Sequence, residues 1–159
     1  MGGIFGGFSG SPLASRRALG DRIGEMAFIT GWVAVALIVM GGGIPAVQWL
    51  RARRRLAPDA LPMRVHAALG LAVAAVAFAH TLVAVPILGT PRAVGGGTLA
   101  LAAGGAAFFV IVAHSGIGLQ LRNPRLRERK RKRHTHLGTA LAIVLTVGVH
   151  LVALLRAAG

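Results

Sequence analysis

The sequence predicts an all-α integral membrane protein, a bundle of four transmembrane helices with both termini on the non-cytoplasmic side. Three observations predict it. Of 159 residues, 55% are hydrophobic and only 14% charged, and the mean hydropathy is +0.69; a chain this short has no soluble fold in which to bury so much apolar surface. The charged residues are clustered, leaving four long stretches without Asp, Glu, Lys or Arg. The 18 Lys and Arg are also distributed unevenly among the connections. This composition excludes a soluble enzyme, a disordered tail and a secreted disulfide scaffold. With no cysteine, cysteine-ligated iron–sulfur clusters, Cys-based zinc sites and c-type haem attachment are excluded too.

The charge-free runs are Ala27–Leu50, Val65–Pro91, Ala93–Leu121 and His134–Leu155. Each exceeds the ~20 residues a helix needs to cross ~30 Å of hydrocarbon. Backbone groups in lipid must be paired within their own segment, so these runs are expected to be helices, over about 27–50, 65–88, 98–121 and 134–156. Pro86 and Pro91 close the second span, Pro124 ends the third, and Pro45 sits near the end of the first as a candidate kink. Residues 1–26, Gly-rich and without a conventional signal peptide, are expected to form an N-terminal outer segment that is partly irregular. Residues 27–159 form the membrane domain.

Orientation follows from the basic residues. Arg51, Arg53, Arg54, Arg55 and Arg64 lie between spans one and two, and eight more lie between Arg122 and Arg133. The other side has Arg16, Arg17, Arg22, Arg92 and Arg156. The imbalance places both basic connections in the cytoplasm and both termini outside. It also explains the net charge of +14 as a topology signal, not a nucleic-acid footprint. The expected location is the cytoplasmic membrane of a bacterium, crossed several times, with lipid as the first partner. Trp32 and Trp49 lie near opposite ends of the first span, where an aromatic belt would place them. Gly41-Gly42-Gly43 and Gly95-Gly96-Gly97 follow no strand, so they are close-packing or loop glycines and not phosphate cradles.

All six histidines lie in or at the mouths of these runs: His66, His80, His114, His134, His136 and His150. An imidazole in lipid is costly without a partner, which makes each a candidate for function. His66 and His80 are 14 residues apart on span two, and His136 and His150 are 14 apart on span four. At 3.6 residues per turn, 14 steps fall ~40° short of four turns and rise ~21 Å, so each helix carries one imidazole near each edge of the membrane on a common face. Spans two and four run in the same direction. His66 and His136 therefore match at the inner depth, and His80 and His150 at the outer.

Two stacked imidazole pairs suit two haem irons, each held axially from both sides. Zinc or copper is less apt, since two neutral histidines without carboxylate or thiolate bind either poorly, and no Asp or Glu lies within a span. The small residues Gly70, Val73 and Ala77 on span two, and Ala140, Ile143 and Val147 on span four, leave room for a flat macrocycle. The plainer alternative is packing histidines bonded to neighbouring carbonyls. His136 is preferred over His134 as the inner ligand, because His134 falls ~160° away from the face of His150. His114, on span three, is a candidate to bond a haem propionate, border a quinone pocket, replace a ligand or serve as a structural histidine. Arg64, beside His66, is a candidate propionate partner inside, with Lys132 and Arg133; Arg92 and Arg156 are candidates outside. The plainer reading of all of them is as interface anchors. The run Arg125–Arg133 is a candidate dock for an acidic partner or anionic lipid.

Two His-x13-His helices at the second and fourth positions of a four-helix core resemble the dihaem membrane cytochromes b. The arrangement is similar to the core of the ferric-reductase-like transmembrane proteins, which include the NADPH oxidases, and to cytochrome b561-like four-helix cores. There too the His-bearing helices run outward from the cytoplasm. The N-terminal half of the cytochrome b of quinol-oxidising complexes also carries His pairs on its second and fourth helices, in the opposite orientation. Gly104 and Gly118, again 14 apart, are similar to glycines that let haems approach that protein's third helix; the first span has no matching pair. The resemblance spans residues 27–155 and rests on spacing and topology. It implies two b haems relaying electrons across the bilayer, with quinone, a cytoplasmic flavoprotein or an outer cytochrome as partners. This chain carries no flavin or nicotinamide domain, so the expectation is an electron-transfer subunit of a larger oxidoreductase with no complete active site of its own. The competing expectation is a cofactor-free structural or assembly subunit.

Overall fold

The computed structural model describes residues 12–52, 57, 59–88 and 97–158. It is all-helical: α1 (Pro12–Ala52), α2 (Leu61–Ala84) with a short 3-10 turn at Val85–Ile87, α3 (Gly97–Leu121) and α4 (Arg129–Ala158). All four helices are long and apolar enough to cross a membrane. Pro62 sits in the first turn of α2, where its missing N–H costs nothing. Gly97 opens α3 at φ 72°, in the left-handed region that glycine enters freely.

Two limits differ from the sequence reading. α1 begins at Pro12, so residues 12–26 are helical where a partly irregular segment was expected. α4 begins at Arg129, taking Arg129–Arg133 of the basic run into its first turns. Arg and Lys are good helix formers whose long stems reach water from either end of a span. Ahead of them Glu128 pairs with Arg131 at 3.0 Å, and its carbonyl accepts the Lys132 N–H at 3.0 Å.

α1 packs along α2 and α3 along α4, forming two antiparallel hairpins, and α2 meets α3. Among the described residues α2 and α4 stand apart with almost no backbone approach. The inside is made of small side chains: Val73, Ala77, Ala100, Ala103, Ala107, Ile111 and Ile143 are buried. Bulky apolar residues such as Phe28, Val39, Trp49, Phe109, Leu141 and Val144 point outward. That distribution suits lipid as solvent, where burial of large apolar groups gives no drive and close packing of small ones does. No charged or polar residue is buried among the described residues.

Candidate functional site

The six histidines sort by depth. Val73 and Ala77 of α2, Ile111 of α3 and Ile143 of α4 form a buried apolar cluster at mid-bundle. His66, His114 and His136 lie on the side of the basic connections, and His80 and His150 on the other. His66 and His136 come together across the gap between α2 and α4, with ring centres 6.1 Å apart and planes at 86°. His80 and His150 are close enough to interact electrostatically. The inner pair stands as the 14-residue spacing places it. His134 is exposed on a surface groove with Arg127, Glu128, Lys130 and Arg131, which leaves His136 as the ring that faces inward.

The hydrogen bonds show how the rings are aimed. His66 Nδ1 donates to the Gly41 carbonyl at 2.8 Å. His80 Nδ1 donates to the Ala27 carbonyl at 3.0 Å, with the Thr30 hydroxyl 3.1 Å away. His150 Nδ1 donates to the Ala100 carbonyl at 2.7 Å. A ring that gives its Nδ1 proton to a carbonyl keeps a lone pair on Nε2, the state in which imidazole ligates a metal. None of the four Nε2 atoms makes a hydrogen bond among the described residues. His136 is the exception at Nδ1: that atom is buried without a partner. The backbone of His114 approaches the His136 ring, but no bond of acceptable geometry forms.

These acceptors were not legible as a motif, yet they repeat. Ala27 and Gly41 are 14 residues apart on α1, matching His80 and His66 on α2; Ala100 and His114 are 14 apart on α3, matching His150 and His136 on α4. Glycines sit one turn further on. A Cβ at Gly31 would stand 3.3 Å from the His80 ring, one at Gly104 only 2.9 Å from His150, and one at Gly118 3.2 Å from His136. So Gly104 and Gly118 make room for imidazoles that reach between helices, and Gly31 is a first-span counterpart. The fourth position is Pro45, inside α1. In an α-helix the residue 41 carbonyl bonds the N–H of residue 45, and proline has none. Pro45 therefore frees the Gly41 carbonyl for His66, which supplies the reason for a proline in mid-helix.

Arg64 does not join the histidines. It is exposed and lines a surface groove with Leu61, Val65, Ala68, Leu71 and Arg122. Two residues along a helix are ~200° around it, so Arg64 and His66 occupy opposite faces. His114 does join the site: its ring stacks on His136 with centres 3.8 Å apart and planes at 15°. Arg92 lies outside the described residues, as do Arg53, Arg54 and Arg55. Arg156 is exposed.

The geometry can be tested against a ligated metal. Two imidazoles trans on one ion, with metal–nitrogen bonds of about 2 Å, hold their ring centres about 6 Å apart. The His66–His136 pair meets that requirement. At that level the gap between α2 and α4, the two free Nε2 atoms and Gly118, whose missing Cβ seats the His136 ring, fit a bis-histidine haem. No family model, curated protein or solved structure matches the chain. The functional reading therefore rests on the site itself.

Proposed function

We propose that this protein is the membrane cytochrome b subunit of a larger oxidoreductase, passing single electrons across a bacterial cytoplasmic membrane through two b haems. His66 and His136 hold the inner haem, and His80 and His150 the outer. The observation that carries the reading is the pairing of His66 and His136, on helices that otherwise stand apart, 6.1 Å between ring centres and with Nε2 free. A haem ligated by two histidines supplies one-electron oxidation and reduction and offers no open iron position to oxygen.

The residues of the chain do the rest. The carbonyls of Gly41, Ala27 and Ala100 hold three rings in the ligating tautomer. The cluster of Val73, Ala77, Ile111 and Ile143 separates the two levels with apolar packing that keeps water from between them. The positive-inside rule orients the basic connections to the cytoplasm and both termini outside. Electrons then enter or leave through a quinone, a cytoplasmic flavoprotein or an outer cytochrome.

A second reading is favoured by the same hydrogen bonds. An imidazole bonded to a carbonyl is already partnered in lipid, so a cofactor-free structural subunit would also tolerate it. Vesicles separate the two. With ferricyanide trapped inside liposomes and an impermeant reductant outside, the haem-loaded protein is expected to bleach the ferricyanide, and His66→Ala and His80→Ala variants are expected not to. Bleaching no faster than in protein-free vesicles would refute transmembrane electron transfer.

A further inference from the structure

The four imidazole sockets are not equivalent. Three rings donate Nδ1–H to a backbone carbonyl, and the fourth, His136, has a buried Nδ1 with no partner. At this socket the hairpins differ at two positions, and at one of them Gly118 stands where the other hairpin has Pro45. In the register of the two hairpins, His114 stands where the other hairpin has Gly41. Its ring lies flat on His136, with centres 3.8 Å apart. That ring is itself tethered. His114 Nδ1 donates to the Thr139 hydroxyl at 2.8 Å, and the hydroxyl donates to the His136 carbonyl at 2.9 Å. His136 is thus clamped by stacking, against a residue fastened to its own backbone.

We infer that His114 and Thr139 are positioning residues that set the reduction potential of the site between His66 and His136, by clamping the His136 ring where it makes no carbonyl bond. The inference rests on the dihaem reading above. An axial imidazole that gives its Nδ1 proton to an acceptor becomes a stronger electron donor and favours oxidised iron. One without the acceptor donates less, and second-shell hydrogen bonding of this kind is a lever on haem potential. The site with the unanchored ring is therefore poised higher than it would be with a carbonyl on both ligands. The site between His80 and His150, anchored on both sides, is outside the reach of this device.

The test is a redox titration of the purified full-length protein followed by optical and low-temperature paramagnetic resonance spectra. The midpoint lost in His136→Ala identifies the site. In Thr139→Val, which releases the His114 ring, that midpoint is expected to fall and its low-spin resonance to shift, while the other midpoint stays. His114→Gly, which copies the residue of the other hairpin, is expected to move it the same way and further. Haem bound with both midpoints unmoved in both variants would overturn this inference and leave the dihaem reading intact, as would equal movement of both midpoints. A wild-type protein without haem would overturn both.

Discussion

In the hairpin α1–α2, both imidazoles donate to carbonyls of the partner helix, at Gly41 and Ala27. In α3–α4 only His150 does so, at Ala100, while His136 is left to stack on His114. The seating differs as well. Gly31, Gly104 and Gly118 admit their rings by having no Cβ, and at the fourth position Pro45 leaves the Gly41 carbonyl without its helical N–H. The lesson is that the spacing of 14 fixes where the imidazoles stand, and the facing helix decides what each ring can do. The same 14-residue spacing gives two carbonyl-bonded rings in one hairpin, and one carbonyl-bonded and one stacked ring in the other.

The sharpest way to break this comparison is to remove one ring at a time. Under the proposed function each haem site takes one histidine from each hairpin, so His66→Ala and His136→Ala are expected to lose the same haem, and His80→Ala and His150→Ala the other. Haem content measured by pyridine haemochrome should halve in each variant. Loss of different haems by His66→Ala and His136→Ala would show that the hairpins do not share sites.

The seating of the rings comes next in size. Gly104→Ala brings a Cβ to 2.9 Å from His150, and overpacking of this kind costs about 1–3 kcal/mol. Gly31→Ala, at 3.3 Å from His80, is expected to cost less. Gly105→Ala meets nothing within 4 Å and should gain up to about 1 kcal/mol from helix propensity. Thermal unfolding in detergent reads the order; equal melting of the Gly104 and Gly105 variants would contradict it.

A smaller effect is expected at Pro45. Pro45→Ala restores an N–H that competes with His66 for the Gly41 carbonyl. It should raise the potential of the same site that Thr139→Val lowers, with little change in haem content. An unchanged potential would show that the freed carbonyl has no influence on its ligand. The least effect belongs to Arg64→Gln, because Arg64 faces away from His66. Both haem spectra should be unaltered.

Much of this was legible in the sequence, for physical reasons. The four spans follow from hydropathy, since lipid leaves the backbone no choice but helix. The meeting of His66 with His136 follows from a fixed rise per residue on two parallel helices. Arg64 stands on the face opposite His66, because two residues along a helix are ~200° around it. The carbonyls of Ala27, Gly41 and Ala100 were illegible because every residue has one; only the packing of neighbouring helices shows which carbonyls face a ring. His114 is legible as an intramembrane imidazole, but its stacking on His136 depends on the register of α3 against α4, which no single-span pattern encodes. The helical start at Pro12 was hidden by glycines that a long helix tolerates.

Haem content tests the central claim most directly. The purified full-length protein, titrated with haem and read by its reduced-minus-oxidised spectrum, is expected to saturate at two low-spin b haems per chain. Saturation at one haem per chain, or a colourless protein with no low-spin alpha band, would contradict it.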